Sequence, residues 1–447
     1  MRLDVPGPDP LPIATLRFAR DPYRYFSSCR RRLGPVFQSW LAGNRIVLSG
    51  EPEHVRTIFA ADHDTAGAFN PGHLEALLGK HSLILIDGAR HQSERKLLSP
   101  PLHGARMRSY AGIVRESALH RAAAWRVGAP LVMQDATQAL SLDVIVKAVF
   151  GVQEPARVAA FEAALLATMS SVWMPAVLIR GLQRDLGPLT PWRRFARARD
   201  HADALIREEI AVRRRAPPGD DILSLMISAR YDDGEGMRDD QIRDELMTLL
   251  AAGHETTAIA LAWAMYWLHR HPDTLERLRA ELALAGDDLD AIASLPYLDA
   301  VCHETLRLYP IVPLAPRTLR RPLTLGPHTL PPGTHVGACI ALLHRHPDLY
   351  PEPDEFRPAR WLARKFTPWE FAVFGGGIRR CIGAAFALYA MKHALAALLP
   401  RHRFRLLEDR PVTPVRRNIT LGPRGGIRMV RTDRTGPPPA PAGAHVS

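Results

Sequence analysis

Apolar positions recur every three or four residues through most of the stretch from about residue 20 to residue 200. Ile113, Val114 and Leu119 illustrate this spacing, which is typical of amphipathic helices. A different pattern occupies residues 35–48, where two short runs of mostly apolar side chains flank Ala42 and Gly43. Two such runs on either side of a turn predict a β-hairpin. This part of the chain is therefore predicted to be mainly helical, with a small sheet near its start.

The longest helical pattern runs from about Asp240 to His271 and stops at Pro272, with Asp239 or Asp240 as the predicted cap. Such a helix spans about 46 Å, which exceeds the diameter of a small domain. It must cross the whole body of the protein, and we therefore predict one large domain instead of three small ones. The middle of the helix, residues 251–257 (AAGHETT), is polar where a core helix is normally apolar.

Beyond Leu308 the pattern changes to short, proline-rich strands. Residues 323–325 and 335–338 are predicted strands, and a last strong helix is predicted from about Ile382 to Leu399. Residues 170–195 are apolar but broken by prolines, which is typical either of a mobile helix–loop–helix cover or of a packed surface loop. The predicted boundaries are a proline-rich lead at 1–19, the large domain at 20–432 and a disordered, proline-rich tail at 433–447.

Charge and cysteine content disfavour several classes of protein. The 447 residues include 58 basic and 46 acidic side chains, a formal net charge of +12. The arginines are dispersed and form no stripe with aromatic residues, which disfavours nucleic-acid binding. The four cysteines are too far apart for a disulfide framework. Because we find neither a signal-peptide pattern nor a run of ~18 apolar residues, we expect a soluble, cytoplasmic protein without a membrane anchor.

The most informative chemistry lies in residues 374–383, FGGGIRRCIG. Cys381 precedes the last helix, whose N-terminal dipole favours a thiolate over a thiol. Three successive glycines let the backbone approach the sulfur closely, and Gly383 leaves room for a bulky planar group. Arg379 can place a guanidinium beside an anion. A lone cysteine argues against zinc and iron–sulfur sites, and a buried structural cysteine does not explain the clustered glycines.

This loop resembles the haem-binding loop of the cytochrome P450 monooxygenases. The family pattern FxxGxRxCxG is matched at every fixed position, by Phe374, Gly377, Arg379, Cys381 and Gly383. The resemblance implies that Cys381 is the axial ligand of the iron of haem b. It also implies that Phe374, Gly375, Arg379 and Gly383 contact the cofactor.

A Glu–Arg pair gives a second match. Glu304 and Arg307 are three residues apart and share one face of a short helix, as many surface pairs do. They resemble the ExxR pair of the family, which joins an arginine from a later loop. Residues 356–361 (FRPARW) resemble that loop and supply Arg360. The resemblance implies a buried triad that holds the fold in register, which is a structural role.

The polar middle of the long helix gives a third match, to the oxygen-activation motif of the family. By this resemblance Gly253 lets the helix open beside oxygen, Thr256 offers a hydroxyl, and Glu255 relays protons. Cleavage of an O–O bond consumes protons, and an acid–alcohol pair suits that task. Taken alone, Thr256 would more simply bond back to the preceding turn. Because position 258 is Ala, the segment is not HExxH and a zincin is excluded.

The fourth match concerns cations for the haem propionates. His91 and Arg95 lie one helical turn apart and resemble the HxxxR pair that clamps a propionate in the family. Arg317 resembles a further propionate-binding arginine, although each of the three alone is an ordinary surface cation. The matches follow the order of the family over residues 20–432, and residues 417–420 resemble the start of the C-terminal strand pair that closes the pocket.

Together these resemblances imply a mainly α fold with small β-sheets, in a single large cytochrome P450-type domain that holds haem b. The implied reaction inserts one oxygen atom of O2 into a hydrophobic small molecule. No flavin or nicotinamide motif follows Cys381, so ferredoxin and ferredoxin reductase are the implied electron donors. We expect the donor to dock on cations near that cysteine: Arg364, Lys365, Arg380 and Lys392.

The substrate is less well defined than the reaction. Hydroxylation or epoxidation of a fatty acid, a terpenoid or a polyketide-like molecule all fit the apolar residues expected at the pocket, which core packing would also explain. These residues are Trp173, Val177, Ala252, Ile311, Val312 and Leu314. One alternative is a peroxide-driven haem-thiolate peroxygenase, which Glu255 and Thr256 argue against. The other is a non-catalytic haem-binding protein, which would need no proton relay.

Overall fold

A computed structural model describes residues 4–41, 43–69, 72, 74–172, 182–184, 187, 190–417 and 419–433. The predicted pocket residues Trp173 and Val177, half of the predicted 170–195 cover and almost all of the predicted tail lie outside these ranges. Among the described residues, no helix combines the length and apolar character needed to cross a membrane.

Helices make up most of the described chain. They are α1 (Leu11–Arg20), α2 (Pro22–Leu33), α3 (Pro52–Ala60), α4 (Glu75–Leu78), α5 (Gly88–Leu98), α6 (Met107–Ala123), α7 (Met133–Ala148), α8 (Pro155–Ser171), α9 (Pro191–Arg215), α10 (Ile222–Ser228), α11 (Asp239–Arg270), α12 (Pro272–Ala285), α13 (Leu289–Ser294), α14 (Pro296–Leu308), α15 (Ile340–Leu343), α16 (Ala359–Ala363) and α17 (Ala384–Leu398). Helix α1 begins within the predicted lead at 1–19 and buries Ala14.

The strands form small sheets at the edges of the helical body. They are β1 (Val36–Leu41), β2 (Asn44–Ser49), β3 (Ala66–Gly67), β4 (Pro130–Val132), β5 (Leu314–Leu319), β6 (Leu323–Leu325), β7 (His328–Leu330), β8 (His335–Cys339), β9 (Phe404–Leu406), β10 (Pro414–Arg417), β11 (Thr420–Pro423) and β12 (Arg428–Arg431). The largest described sheet has the order β1-β2-β8-β5-β3, and β1 and β2 form the predicted antiparallel hairpin. Arg417 ends β10 and Thr420 begins β11, and these two residues pair with each other, so the strand pair starts at Pro414, before the position expected from the sequence.

Helix α11 is the long helix expected from the sequence. It is buried along most of its length, and Trp263, Met265 and Tyr266 are almost inaccessible to solvent. The predicted caps Asp239 and Asp240 lie in its first turn, and the cap residue is Arg238, whose backbone N–H donates to Gln241 Oε1 at 2.9 Å. A buried helix of 32 residues belongs to one large domain, so the predicted fold, mainly α with small β-sheets, is confirmed.

Candidate active site

The cysteine loop is shaped by glycines that precede α17. The N–H of Cys381 donates to the carbonyl of Phe374 at 2.8 Å, which closes the loop. Gly375 and Gly377 have φ angles of 66° and 62°, in the left-handed region that favours glycine. A Cβ on Gly377 would overlap the carbonyl oxygen of Phe59 on α3. The loop therefore packs against α3 at a distance that only glycine permits.

Cys381 is the one cysteine of the four whose residue is exposed to solvent. Protein surrounds the remainder of the residue, and this burial raises the pKa of the thiol. A hydrogen bond from the Gly383 backbone and the charges of Arg95 and Arg380 act in the opposite direction. The hydrogen bond at the helix end acts in the direction expected from the sequence, and burial opposes it. The helix begins at Ala384, with Gly383 as its cap. Coordination to a metal would deprotonate this thiol.

The surroundings of the sulfur fit a planar iron cofactor. A Cβ added to Gly383 would meet nothing within 4 Å, and one on Gly253 of α11 would meet only Ile145, at 3.5 Å. Both glycines therefore border open space. The described residues contain no group of three or more His, Cys, Asp or Glu side chains that could hold a metal ion. A single sulfur beside open space fits haem better than a metal held by protein ligands alone.

Positive charge is concentrated beside this space. Burial and neighbouring arginines lower the pKa of His91 to about 3, and burial followed by Arg379 lowers that of Arg317 to about 10. Burial lowers the pKa of Arg95, which also interacts electrostatically with Cys381. His91 Nδ1 and Arg379 Nε are buried without a hydrogen-bond partner. Unpartnered nitrogens among crowded cations fit the carboxylates of the haem propionates.

Asp87 is the anion at the centre of this cluster, and the sequence analysis missed it. Its carboxylate accepts hydrogen bonds from Arg379 Nη2 and Arg320 Nη2, both at 2.7 Å, and from the N–H groups of Ala68 and Gly88. These bonds and charges outweigh burial and lower the pKa of Asp87 to about 2. The only signal in the sequence was its position before α5. Arg379 does lie beside an anion, as expected, and that anion is Asp87.

The segment before Asp87 is fastened on two sides. Arg379 also donates to the carbonyls of Leu83 and Ile86, at 3.4 and 2.6 Å. On the other side, Thr248 of α11 bonds to the Ser82 hydroxyl at 2.6 Å. Residues 82–87 therefore bridge the cysteine loop and the long helix.

Glu304, Arg307 and Arg360 meet in the core next to the cysteine loop. Arg307 donates to both oxygens of Glu304, at 2.8 and 2.9 Å, and Arg360 Nε donates to Oε1 at 3.0 Å. Trp361 Nε1 and the backbone N–H of Arg357 complete the set, both at 2.9 Å. The side chains of Glu304 and Arg307 are 0% exposed. A carboxylate with this many donors fixes the 353–361 loop against α14.

The polar turn of α11 brings an acid and a hydroxyl to the same stretch of helix. The Thr256 hydroxyl donates to the carbonyl of Ala252 at 2.6 Å, the local bond that is usual for a helical threonine. Glu255 Oε1 lies 3.6 Å from Nε of Arg417, the last residue of β10. Burial raises the pKa of Glu255, while Arg417 and a hydrogen bond from Thr420 oppose the shift. The sequence analysis did not identify Arg417 as a partner.

Comparison with known proteins identifies the family. The cytochrome P450 family model matches residues 5–427, nearly the whole chain. The chain belongs to the cytochrome P450 family. Its cofactor is haem, and the class of its reaction is monooxygenation, as the resemblance implied.

Relatives and solved structures agree with this membership. Cytochrome P450 137 of Mycobacterium tuberculosis is 36% identical over 404 residues, which cover 89% of this chain and 83% of that protein. Cytochrome P450 135B1 of Mycobacterium bovis is 35% identical over 427 residues, with coverage of 92% and 88%. A cyanobacterial CYP120A1 with bound retinoic acid superposes with a TM-score of 0.83 at 26% identity, over 96% of this chain and 99% of that chain. The haem domain of cytochrome P450DA gives a TM-score of 0.85 at 25% identity, with coverage of 97% and 99%.

Four of the six predicted pocket residues of this P450 lie in the described chain. Val312 is 38% exposed, and Ala252 is exposed beside the oxygen-activation turn. Ile311 and Leu314 are each only 6% exposed and pack into the hydrophobic core. Of these four, Val312 and Ala252 present an accessible apolar surface.

Proposed function

We propose that this P450 binds haem b through Cys381 and inserts one oxygen atom of O2 into a hydrophobic small molecule with electrons from a ferredoxin. The observation that carries the proposal is the single cysteine Cys381, a solvent-exposed residue beside the open space at Gly383. A thiolate-bound haem supplies oxidising chemistry strong enough for C–H bonds. The protein residues bind the cofactor, hold the loop and deliver protons.

Under this proposal the cation cluster holds the haem propionates. The buried atoms His91 Nδ1 and Arg379 Nε lack hydrogen-bond partners, and a carboxylate would satisfy them, while Arg95 and Arg317 supply positive charge. Phe374, Gly375 and Gly383 keep the backbone close to the cofactor plane. The Glu304 triad has a structural role, because its hydrogen bonds hold Arg360 and its neighbours against α14.

Proton delivery is assigned to the polar turn of α11. The carboxyl of Glu255 has a raised pKa, which brings it closer to the value that suits a proton donor near neutral pH. The Thr256 hydroxyl is bonded to Ala252, and it can turn to donate toward the open space beside Gly253. A peroxide-driven enzyme would not need this pair.

The substrate proposed is an apolar molecule such as a fatty acid, a terpenoid or a polyketide-like compound. Val312 and Ile84, 38% and 45% exposed, offer apolar surface to such a molecule. The structural relative with bound retinoic acid, a terpenoid-like carboxylic acid, supports the same class.

The proposed ferredoxin docks on the face that carries the cysteine loop. Arg364, Lys365 and Arg380 are exposed there and would attract an acidic partner. Lys392 is removed from this set, because it bonds to Asp299 at 2.6 Å and to the carbonyl of Ala293. A cytoplasmic location belongs to the same proposal, and four cysteines without a disulfide agree with it.

The test is the carbon monoxide difference spectrum of the reduced protein, which reports a thiolate ligand. Wild type and the buried-cysteine control Cys29→Ala are expected to give the thiolate spectrum, and Cys381→Ala is expected to lose it. A thiolate spectrum in Cys381→Ala would overturn the assignment. Spin-state titrations with fatty acids, terpenoids and polyketides then identify the substrate class. Turnover with peroxide but not with ferredoxin and reductase would favour the peroxygenase instead.

A further inference from the structure

One face of α7 lies behind the oxygen-activation turn of α11. Gln134, Thr137 and Ser141 are three and four residues apart, and their side chains share this face. The Ser141 hydroxyl donates to the carbonyl of His254 at 3.0 Å, and the Thr137 hydroxyl donates to that of Ala258 at 2.8 Å. These carbonyls flank Glu255 in the helix. A buried polar stripe therefore holds the backbone on both sides of the acid.

The same stripe reaches the arginine beside Glu255. With its amide oxygen turned toward the guanidinium, Gln134 accepts from Arg417 Nε at 3.3 Å and from Nη1 at 3.2 Å. Gln134 is 0% exposed, so this contact lies in the core. Arg417 in turn lies 3.6 Å from the Glu255 carboxylate. Three side chains from α7, β10 and α11 thus form a chain that ends at the acid.

The hairpin is shaped to admit the stem of this arginine. A Cβ on Gly422 of β11 would lie 2.7 Å from Arg417 Cδ, so a larger residue there would displace the side chain. The Thr420 hydroxyl donates to the Arg417 carbonyl at 2.8 Å, which fixes the turn. Glycine and threonine at these places direct the guanidinium toward α11.

We propose that Arg417 is a positioning residue for Glu255, and that the β10–β11 turn and Gln134 hold it there. This inference rests on the proposed role of Glu255 in proton delivery and adds the residue that orients its carboxyl. The groups that interact with the Glu255 carboxyl are Arg417, which is charged, and Thr420, which is neutral. Burial lowers the pKa of the neighbouring His254 to about 4, so this histidine is uncharged near pH 7. Without the guanidinium the carboxyl would be free to rotate away from the turn.

The experiment compares Arg417→Met with Arg416→Met. The control removes the same charge from the adjacent position, where Arg416 lies over the Phe18 ring at 5.8 Å. An infrared titration, with the carboxyl band of Glu255 assigned by its absence in Glu255→Gln, measures the pKa independently of turnover. Loss of a cation this close should raise the pKa of Glu255 by about one unit, a tenfold shift in its ionisation equilibrium. Arg416→Met should leave it unchanged, and Arg417→Lys should restore most of the wild-type value.

The second readout is the product formed per electron supplied. The product formed per electron by Arg417→Met should fall toward the value of Glu255→Gln, with more peroxide released. In the Glu255→Gln background, Arg417→Met should have no further effect. If Glu255→Gln forms as much product per electron as the wild type, the proposed proton role of Glu255 fails. If Glu255→Gln is impaired while Arg417→Met resembles Arg416→Met in both readouts, the positioning inference fails. An additive loss in the double variant would also overturn it, because Arg417 would then act by another route.

Discussion

The Glu304 triad allows a quantitative prediction of stability. The Glu304 carboxylate accepts five hydrogen bonds, two from Arg307 and one each from Arg360, Trp361 and the Arg357 backbone. Glu304→Gln keeps the shape of the side chain but turns an amide NH2 toward these donors and leaves two buried guanidinium groups without a counter-charge. Removing one partner of a buried ion pair costs about 3–5 kcal/mol. That is a large part of a total stability of about 5–15 kcal/mol.

The chain contains a matched control for this change. Glu276 and Arg279 have the same i,i+3 spacing and an N–O distance of 2.6 Å, but the Glu276 side chain is 67% exposed. Glu276→Gln should cost no more than about 1 kcal/mol. Urea titrations followed by circular dichroism give both free energies of unfolding. Equal losses in the two variants would refute the claim that burial and the number of donors set the strength of the Glu304 site.

Three further predictions follow from the described contacts. Burial raises the pKa of Glu245 well above its usual value, so the folded protein keeps a proton that the unfolded chain releases, and stability falls as the pH rises above the pKa of the unfolded chain. Glu245→Gln should therefore raise the melting temperature more at pH 8 than at pH 5. An equal rise at both pH values would contradict this prediction. Gly377→Ala should lower the haem content measured by absorbance much more than Gly375→Ala. Both glycines have positive φ, which costs an alanine about 1–2 kcal/mol, but only a Cβ on Gly377 would overlap a backbone carbonyl. Equal losses of haem would show that this carbonyl contact has no effect. Lys365→Glu should slow reduction by ferredoxin several-fold at low salt with little effect on substrate binding. Arg17→Glu, an exposed control on α1, should not slow it. Unchanged reduction kinetics in both variants would reject the docking face.

Motifs contained in one short segment could be predicted from the sequence. Glu304 and Arg307 are one helical turn apart, so a single helix brings them together, and the glycines around Cys381 form one loop. The positions of the helix ends were less accurate, because the cap is set by backbone geometry; Arg238, and not Asp239, caps the long helix.

Partners that are distant in the chain could not be predicted. Asp87 meets Arg379 across 292 residues, and Glu255 meets Arg417 across 162. Periodicity reports which face of a helix is buried, but it does not report which other segment covers that face. The raised pKa of the Cys381 thiol could not be predicted for the same reason, because the burial that causes it comes from segments that are distant in the chain.

The bridge formed by residues 82–87 has a thermodynamic consequence. Arg379, two positions from the sulfur ligand proposed here, also bonds to the carbonyls of Leu83 and Ile86. Any molecule that tightens or loosens that segment therefore changes the free energy of the cysteine loop, and reciprocity requires that haem binding changes the affinity for the molecule by the same factor. A compound that holds the bridge in place would then raise the affinity of the protein for haem, without touching either the metal or its ligand.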